Sequence, residues 1–501
     1  MNLTKTNKLI LATFAFLAVL AFGGGRAHAA TLTVVAGTDT VATNSSCSLS
    51  EAIENINDQA ATNSDCAAGD GNNDTIHIQA GTVTLTDNLP TITEPVTIAG
   101  AGMGQTTVSG DAGQYDGFIA NSLGATFDVT LKDMKITAYG GSAIQMVDVN
   151  TTLRNIEVDG QDAALSSDRP VGVFGDQSSQ LTVDADNLYI HDINGNNGLY
   201  GFYINAANNT AVNADLNSIT LADIHGSGAH PTFGVIMLAT GSGSVTSTIT
   251  NTTVDDVTGD DLVAPFGSFG VAASGNVAVT TSVQNITITG TRGFTGTDSA
   301  AGVKSAAFYA AAASFQVGYH VNVAVSVTNS LMADNTNDGV SSNCSIANIT
   351  DIFGGNGTED DVETSITSLG HNISDDDSCT GFNQSGDRQN ISSILSTLGP
   401  LQNNGGAVPT RALLAGSPAI AAGKSVLGIT TDARGIARNS CPSVGAYQFE
   451  GAVCAAATAD DPTPSAPNTG TGAVSPVITI IATPLGLGII AHALRKRTAV
   501  K

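Results

Sequence analysis

Seven short segments of alternating pattern recur through the middle of the chain, and their spacing limits the fold more than any other feature. They are TLKDMKI (130–136), TLRNIEV (152–158), ADNLYI (185–190), DLNSITL (215–221), TITNTTV (248–254), SVQNITI (282–288) and SVTNSLM (326–332). Each carries a polar pivot between apolar residues, at Asp133, Asn155, Asn187, Asn217, Asn251, Asn285 and Asn329. The pivots lie 22, 32, 30, 34, 34 and 44 residues apart, which is how loops of unequal length look when inserted into a regular coil. A period of this size means stacked units, none of which can bury its apolar face alone.

The pattern within each unit selects the kind of stack. Apolar and polar residues alternate, Gly or Asn closes each run, and no amphipathic helix lies between runs, so helical and leucine-rich repeats are excluded. Thr, Val, Ile, Asn and Ser dominate, with 56 Gly and no Trp, a composition of strands and turns. Asn at a fixed place suits a left-handed corner and can hydrogen-bond its copy one coil away. The expected fold is all-β, a right-handed parallel β-helix by the crossover rule. Inward positions should include Ile156, Ile219, Ile286 and Leu331.

The flanks divide the chain further. Lys5 and Lys8, the apolar run Leu9–Phe22 and the small residues around Ala27 and Ala29 have the order of a secretory leader over 1–30, with processing at Ala29. Residues 31–102 read as an N-terminal cap and first coil. Within them CSLSEAIENIND (47–58) is a short helix, Ser48 capping with Glu51 three residues on. The repeats span 103–345, and a turn-rich C-terminal region spans 346–450. A Pro/Thr linker follows over 451–470. The apolar stretch 471–494 is long enough for a C-terminal transmembrane helix, and Arg495, Lys496 and Arg497 begin a basic cytoplasmic tail over 495–501. The protein is therefore expected to be exported and held at the cell surface, in contact with membrane through its C-terminal helix alone.

Charge narrows the partners. The 44 Asp and Glu face 18 Lys and Arg, and seven of those basic residues lie in the two terminal segments. Such a field repels nucleic acid, which is excluded as a primary partner. Six cysteines in an exported chain favour disulfides, and nearest neighbours pair Cys47 with Cys66, Cys344 with Cys379 and Cys441 with Cys454. Two hard-oxygen clusters are candidate calcium ligands: Glu359, Asp360, Asp361 and Glu363, then Asp375, Asp376 and Asp377.

Evidence for chemistry in the sequence is sparse. Between 140 and 380 the basic side chains are Arg154, Arg169, Arg292 and Lys304, none beside a clear set of acidic ligands. Asp255 and Asp256 with Asp260 and Asp261 form the best carboxylate cluster, although adjacent strand residues point to opposite faces. His191 and His225 follow successive repeats, where stacking can align them one coil apart, and read first as ordinary turn histidines. The aromatic groups Tyr200, Phe202 and Tyr203, then Phe266, Phe269 and Phe294, then Phe308, Tyr309, Phe315 and Tyr319, read mainly as core rings. No catalytic residue is assigned.

CSLSEAI (47–53) resembles the motif of surface proteins named for Cys-Ser-Leu-Arg-Glu-Ala, with Ser50 at the usual arginine. Residues 369–447, with LGHNISDDDSC, LGPLQNNGGAVPTRALLAGSPAIAAG, TDARGIAR and VGAYQFE, resemble the choice-of-anchor Q type of C-terminal domain. Pro467, Asn468, Thr469 and Gly470 resemble the Leu-Pro-x-Thr-Gly sorting signal, with Ala466 replacing the leucine. That resemblance implies a sortase-type transpeptidase as partner, cutting between Thr469 and Gly470. The repeats resemble the β-helix region of pectate lyases and bacterial adhesins. Together these imply a non-enzymatic, adhesin-like or envelope-layer protein binding glycans or neighbouring surface proteins, with a polysaccharide lyase or glycoside hydrolase on the same scaffold as the alternative.

Overall fold

The computed structural model describes residues 29–161, 164–165, 169–177, 179–196, 198–228, 230–294, 304–315, 317–349 and 361–451. Its strands form a 22-stranded sheet and an 8-stranded sheet. In the smaller sheet each strand pairs in parallel with the strand of the preceding and following unit. One inward column there runs through Phe118, Ile144, Val171, Phe202, Val235, Phe266, Phe308 and Cys344. On the larger sheet Leu131, Leu153, Ala185, Leu216, Ile249, Val283 and Val327 make the facing column. Both columns meet in one continuous core, so the protein is all-β and built of stacked parallel coils, consistent with a β-solenoid. Ile156, Ile219, Ile286 and Leu331 are all fully buried.

The coils turn where a residue accepts the left-handed backbone region. Asp133, Asn155, Asn187, Asn251, Asn285 and Asn329 all have φ between 50° and 59°. The expected pivot Asn217 is corrected by one residue: Ser218 holds the corner, at φ 54°. Leu188 pairs with Ile219, so burial of the next apolar residue sets the register and puts the corner directly before it. The side chains still form a ladder. Asn155 donates to Asp133 at 2.7 Å, Asn187 to Asn155 at 2.9 Å, Asn251 to Asn217 at 3.0 Å and Asn329 to Asn285 at 2.9 Å. Asn217 itself donates to Asp186 at 2.6 Å, keeping the column continuous despite the shift.

Helix α1 (Leu49–Asp58) covers the first coil and contacts strands Thr31–Val34 and Asp74–Ile78. Ser48 accepts from the Glu51 backbone while the Glu51 carboxylate accepts from the Ser48 backbone, and Ala52, Ile53 and Ile56 are buried. Ser50, the residue that departs from the surface-protein motif, donates to buried Asp39 at 2.6 Å. Asp39 also accepts the Leu49 and Ser50 backbone groups, placing a carboxylate at the positive end of the helix. Cys47 joins Cys66 across this cap, and Cys344 joins Cys379.

At the other end the chain turns back. Residues beyond 391 pack against the corner face of the larger sheet: the Thr220 hydroxyl donates to the Pro409 carbonyl, Arg411 pairs with Asp255, and the Gly445 backbone donates to the Asn329 carbonyl. The antiparallel ribbon Leu398–Gln402 with Thr410–Leu413 lies in this segment. Among the described residues no helix is long and apolar enough to cross a membrane. The stretch 471–494, expected to do so, lies outside them, as do the leader up to 28, the PNTG motif and Cys454.

Replacing Ile219 with Ala is expected to cost about 2–5 kcal/mol in urea unfolding, because the coils above and below leave little room to collapse. Asn213, exposed on the same strand, should change stability by less than about 0.5 kcal/mol when replaced by Ala. Equal effects at the two sites would contradict the inward assignment.

Candidate functional site

Because the corners fix register, side chains one and three residues before each corner stack in outward columns. One column runs Lys132, Arg154, Asp186, Asn217, Thr250 and Gln284. Beside it run Thr152, Asp184, Asp215, Thr248 and Ser282. The returning C-terminal segment supplies the opposite bank with Leu427–Thr431, and a cleft of about 570 Å³ lies between. Its floor is polar. Arg154 forms an ion pair with Asp184, Asn217 donates to Asp186, and Thr250 donates to the Asn217 side-chain carbonyl at 2.8 Å. Burial raises the Asp215 carboxyl above its ordinary range and the neighbouring Asp184 charge adds to this, with Arg154 pulling the other way. On the rim, Leu427 is fully exposed.

The bank is fastened through the Asn ladder. Arg438 donates to the Asn251 side-chain carbonyl and to the Gly445 carbonyl, both at 2.9 Å. This takes the acceptor that the next rung would use, and the Asn285 amide nitrogen has no partner among the described residues. Burial pushes the Arg438 guanidinium down to about 10, with Asp432 opposing the fall. Two coils on, Asn329 both donates to the Lys424 carbonyl at 2.7 Å and accepts from the Lys424 backbone at 3.0 Å.

A second constellation lies after the corners of the early coils. Lys135, Glu157 and Tyr189 share one column, and Asp159 and His191 the next outward one. The Lys135 ammonium lies 2.7 Å from Glu157 and 2.6 Å from Asp159. His191 bridges Glu157 at 3.2 Å and Asp192 at 2.6 Å and stacks on Tyr189. Burial alone would lower the His191 pKa, but these two carboxylates hold it above its ordinary value. Burial would raise that of Glu157, but His191 and Lys135 hold it below.

Several expectations change against this geometry. His191 and His225 do not align: His191 pairs with Ala222 and His225 with Asn194, because the former stands four residues after its corner and the latter seven after Ser218. Asp255 is buried, accepting from Thr289 at 2.5 Å and Arg411 at 3.0 Å, while Asp256 occupies a left-handed corner. The aromatic residues divide between two layers. Phe202, Phe266 and Phe308 are in the core, whereas Tyr200, Tyr203, Phe269 and Tyr309 join Phe174 and Phe233 in an outer apolar layer on the smaller sheet. Arg169 lies over the Tyr203 ring at 4.8 Å.

Of the expected calcium ligands, Glu359 and Asp360 lie outside the described residues. Asp361 is buried and accepts from the Gly318 backbone, and Glu363 is exposed. Asp375 and Asp376 are filled with protein donors, chiefly Asn343, Ser374, Ser378 and the Asp334 backbone; Asp377 is exposed. Ala29 is exposed, two residues before the first strand. Cys441 is disulfide-bonded.

Lys135, like Asp184, Asp186 and Asp215 of the cleft, is not singled out by the sequence, where nothing beside it marks a site. Aligning the pivots finds it: Lys135, Glu157 and Tyr189 all stand two residues after theirs. Compared with known proteins, the chain matches no family model and no curated relative.

The His191 bonds should appear in stability. A raised folded pKa contributes stability that is complete below the unfolded value near 6.5 and is lost as pH rises through the folded one. The difference in melting temperature between the protein and a His191→Gln variant should therefore be largest in mild acid and close above neutrality. A gap that stays constant with pH would show that His191 packs without titrating.

Proposed function

We propose that the chain is an exported right-handed parallel β-helix, displayed at the cell surface by its C-terminus, which binds a glycan in the cleft between its coil wall and the returning C-terminal segment. The cleft itself carries this reading. Its floor repeats hydroxyl, amide and carboxylate groups at the coil spacing of about 4.8 Å, a ladder of hydrogen-bonding groups suited to a chain of linked sugars. The disulfides Cys47–Cys66 and Cys344–Cys379 accord with an oxidising, extracellular setting. The CSLSEAI motif, the choice-of-anchor Q resemblance and PNTG support surface attachment, with a sortase-type enzyme joining Thr469 to the envelope. Intact mass of envelope-released protein tests that half: a C-terminus at Thr469 supports it, and a chain retaining 471–501 opposes it.

One observation favours the enzymatic reading. Asp184, Asp186 and Asp215 stand with Arg154 on one face of three neighbouring coils. The Asp215 carboxyl is shifted in the direction a general acid needs, by burial and then by the charge of Asp184, its register neighbour. Against a lyase role, Arg154 is already paired with Asp184, and a guanidinium held in an ion pair has no lone pair with which to take a substrate proton. A soluble glycan panel incubated with the exported protein separates the readings. Saturable binding that falls at least tenfold in Asp186→Ala, with no new reducing or unsaturated ends, supports the binding protein; product formation abolished by Asp215→Asn supports the enzyme. No binding to any glycan, with the fold intact, would remove both.

A further inference from the structure

The larger sheet has a second left-handed corner, five residues beyond the first. Asp192, Asp223 and Asp256 occupy it in three successive coils, at φ 53°, 52° and 55°. Stacking puts their carboxylates one above another at the coil spacing, about 4.8 Å. His225, two residues after Asp223 and half-buried like it, joins the group. One donor atom each from Asp223, His225 and Asp256 lies within 4.8 Å of the others.

We propose that Asp223, His225 and Asp256 bind a divalent transition-metal ion of the zinc class. Bonds to such an ion are about 2.0–2.2 Å long, so small rotations of these partly exposed side chains bring the three donors onto one centre. Mixed imidazole and carboxylate donors suit zinc or manganese, whereas calcium takes oxygen alone. His225 is already oriented, because its Nδ1 is 2.6 Å from the Thr258 hydroxyl on the next coil. With Nδ1–H donating to Thr258, Nε2 keeps its lone pair for the ion, the arrangement that fixes ligand histidines elsewhere.

The neighbouring constellation shows what this wall does with the same donor types. Glu157, Asp159 and His191 also bring one donor atom each within 4.8 Å, and there the Lys135 ammonium sits among the carboxylates. At the Asp223 corner the stacked charges meet no such ammonium among the described residues. Stacked one coil apart, the like-charged carboxylates of Asp192, Asp223 and Asp256 repel one another. A bound cation removes that repulsion. Asp255 is not a ligand, since Thr289 and Arg411 hold its carboxylate. The next corner in the column is Gly290, which puts no side chain over Asp256.

The test is calorimetric titration of the exported protein, first stripped with chelator, with Zn²⁺ and separately with Ca²⁺, alongside Co²⁺ absorption. One Zn²⁺ site is expected, weakened at least tenfold in His225→Gln and Asp256→Asn, with Ca²⁺ bound more weakly than Zn²⁺. Thr258→Val, which touches no ion, should weaken Zn²⁺ about tenfold through loss of histidine orientation. Circular dichroism and melting of each variant establish that it is folded, and Asn213→Ala, exposed on the same strand ten residues before Asp223, provides a second folded reference. Absence of Zn²⁺ binding, binding indifferent to His225→Gln and Asp256→Asn, or Co²⁺ bands unchanged in His225→Gln would each overturn the proposal.

Discussion

The hydrogen bond from one corner amide to the corner one coil away is the interaction on which the rest of this structure depends. A parallel stack has no hairpin to set its register, and a slip of one residue would turn every inward Ile and Leu outward. The left-handed residue sets where each coil bends, and the ladder from Asp133 through Asn155 and Asn187 ties successive bends together. Backbone conformation and side-chain bonding thus demand the same residue type at the same place. Ser218 illustrates how far this can be relaxed: the corner keeps its geometry, and Asn217 carries the hydrogen bond from the adjacent position.

Register then converts sequence into surface chemistry. Residues far apart in the chain become neighbours because they stand at equal distances from their corners, as Arg154 does with Asp186, Asn217 and Thr250. The C-terminal segment uses the ladder as its mooring. Arg438 inserts between the Asn251 and Asn285 rungs and Lys424 engages Asn329, so the same amides that align the coils also build one bank of the cleft. Removing the Arg438 guanidinium would leave the Asn251 acceptor and the Ser443 and Gly445 carbonyls to find new partners in a buried site.

Much of this is legible in the sequence. Alternation and pivot spacing expose the stacked coils because both follow from local geometry, and the capping box of α1 is written in Ser48 and Glu51. The corner at Ser218 was not legible from DLNSITL, where two adjacent polar residues can each make the turn and burial of Ile219 decides. Nor was the outer aromatic layer. Tyr203 and Tyr309 sit beside inward Phe202 and Phe308, and a sequence shows which residues alternate but not that both faces of a strand are covered. The cleft depends on contacts such as Arg438 with Asn251, 187 residues apart, which no periodicity announces. The charged constellation around His191 lies between these cases, for Lys135, Glu157 and Tyr189 share one offset from their pivots.

Parallel stacking in this register is the central claim, and distances between spin labels measure it directly. Thr182, Asn213, Thr246, Thr280 and Ala324 form one outward column, each paired with the next. With one label at Thr182 and the second at Thr246, Thr280 or Ala324 in turn, the backbone separation should grow by about 4.8 Å per coil, reaching roughly 19 Å at Ala324. Separations that do not rise steadily along this series, in protein that is folded by circular dichroism, would contradict the stacked coils and everything built on their register.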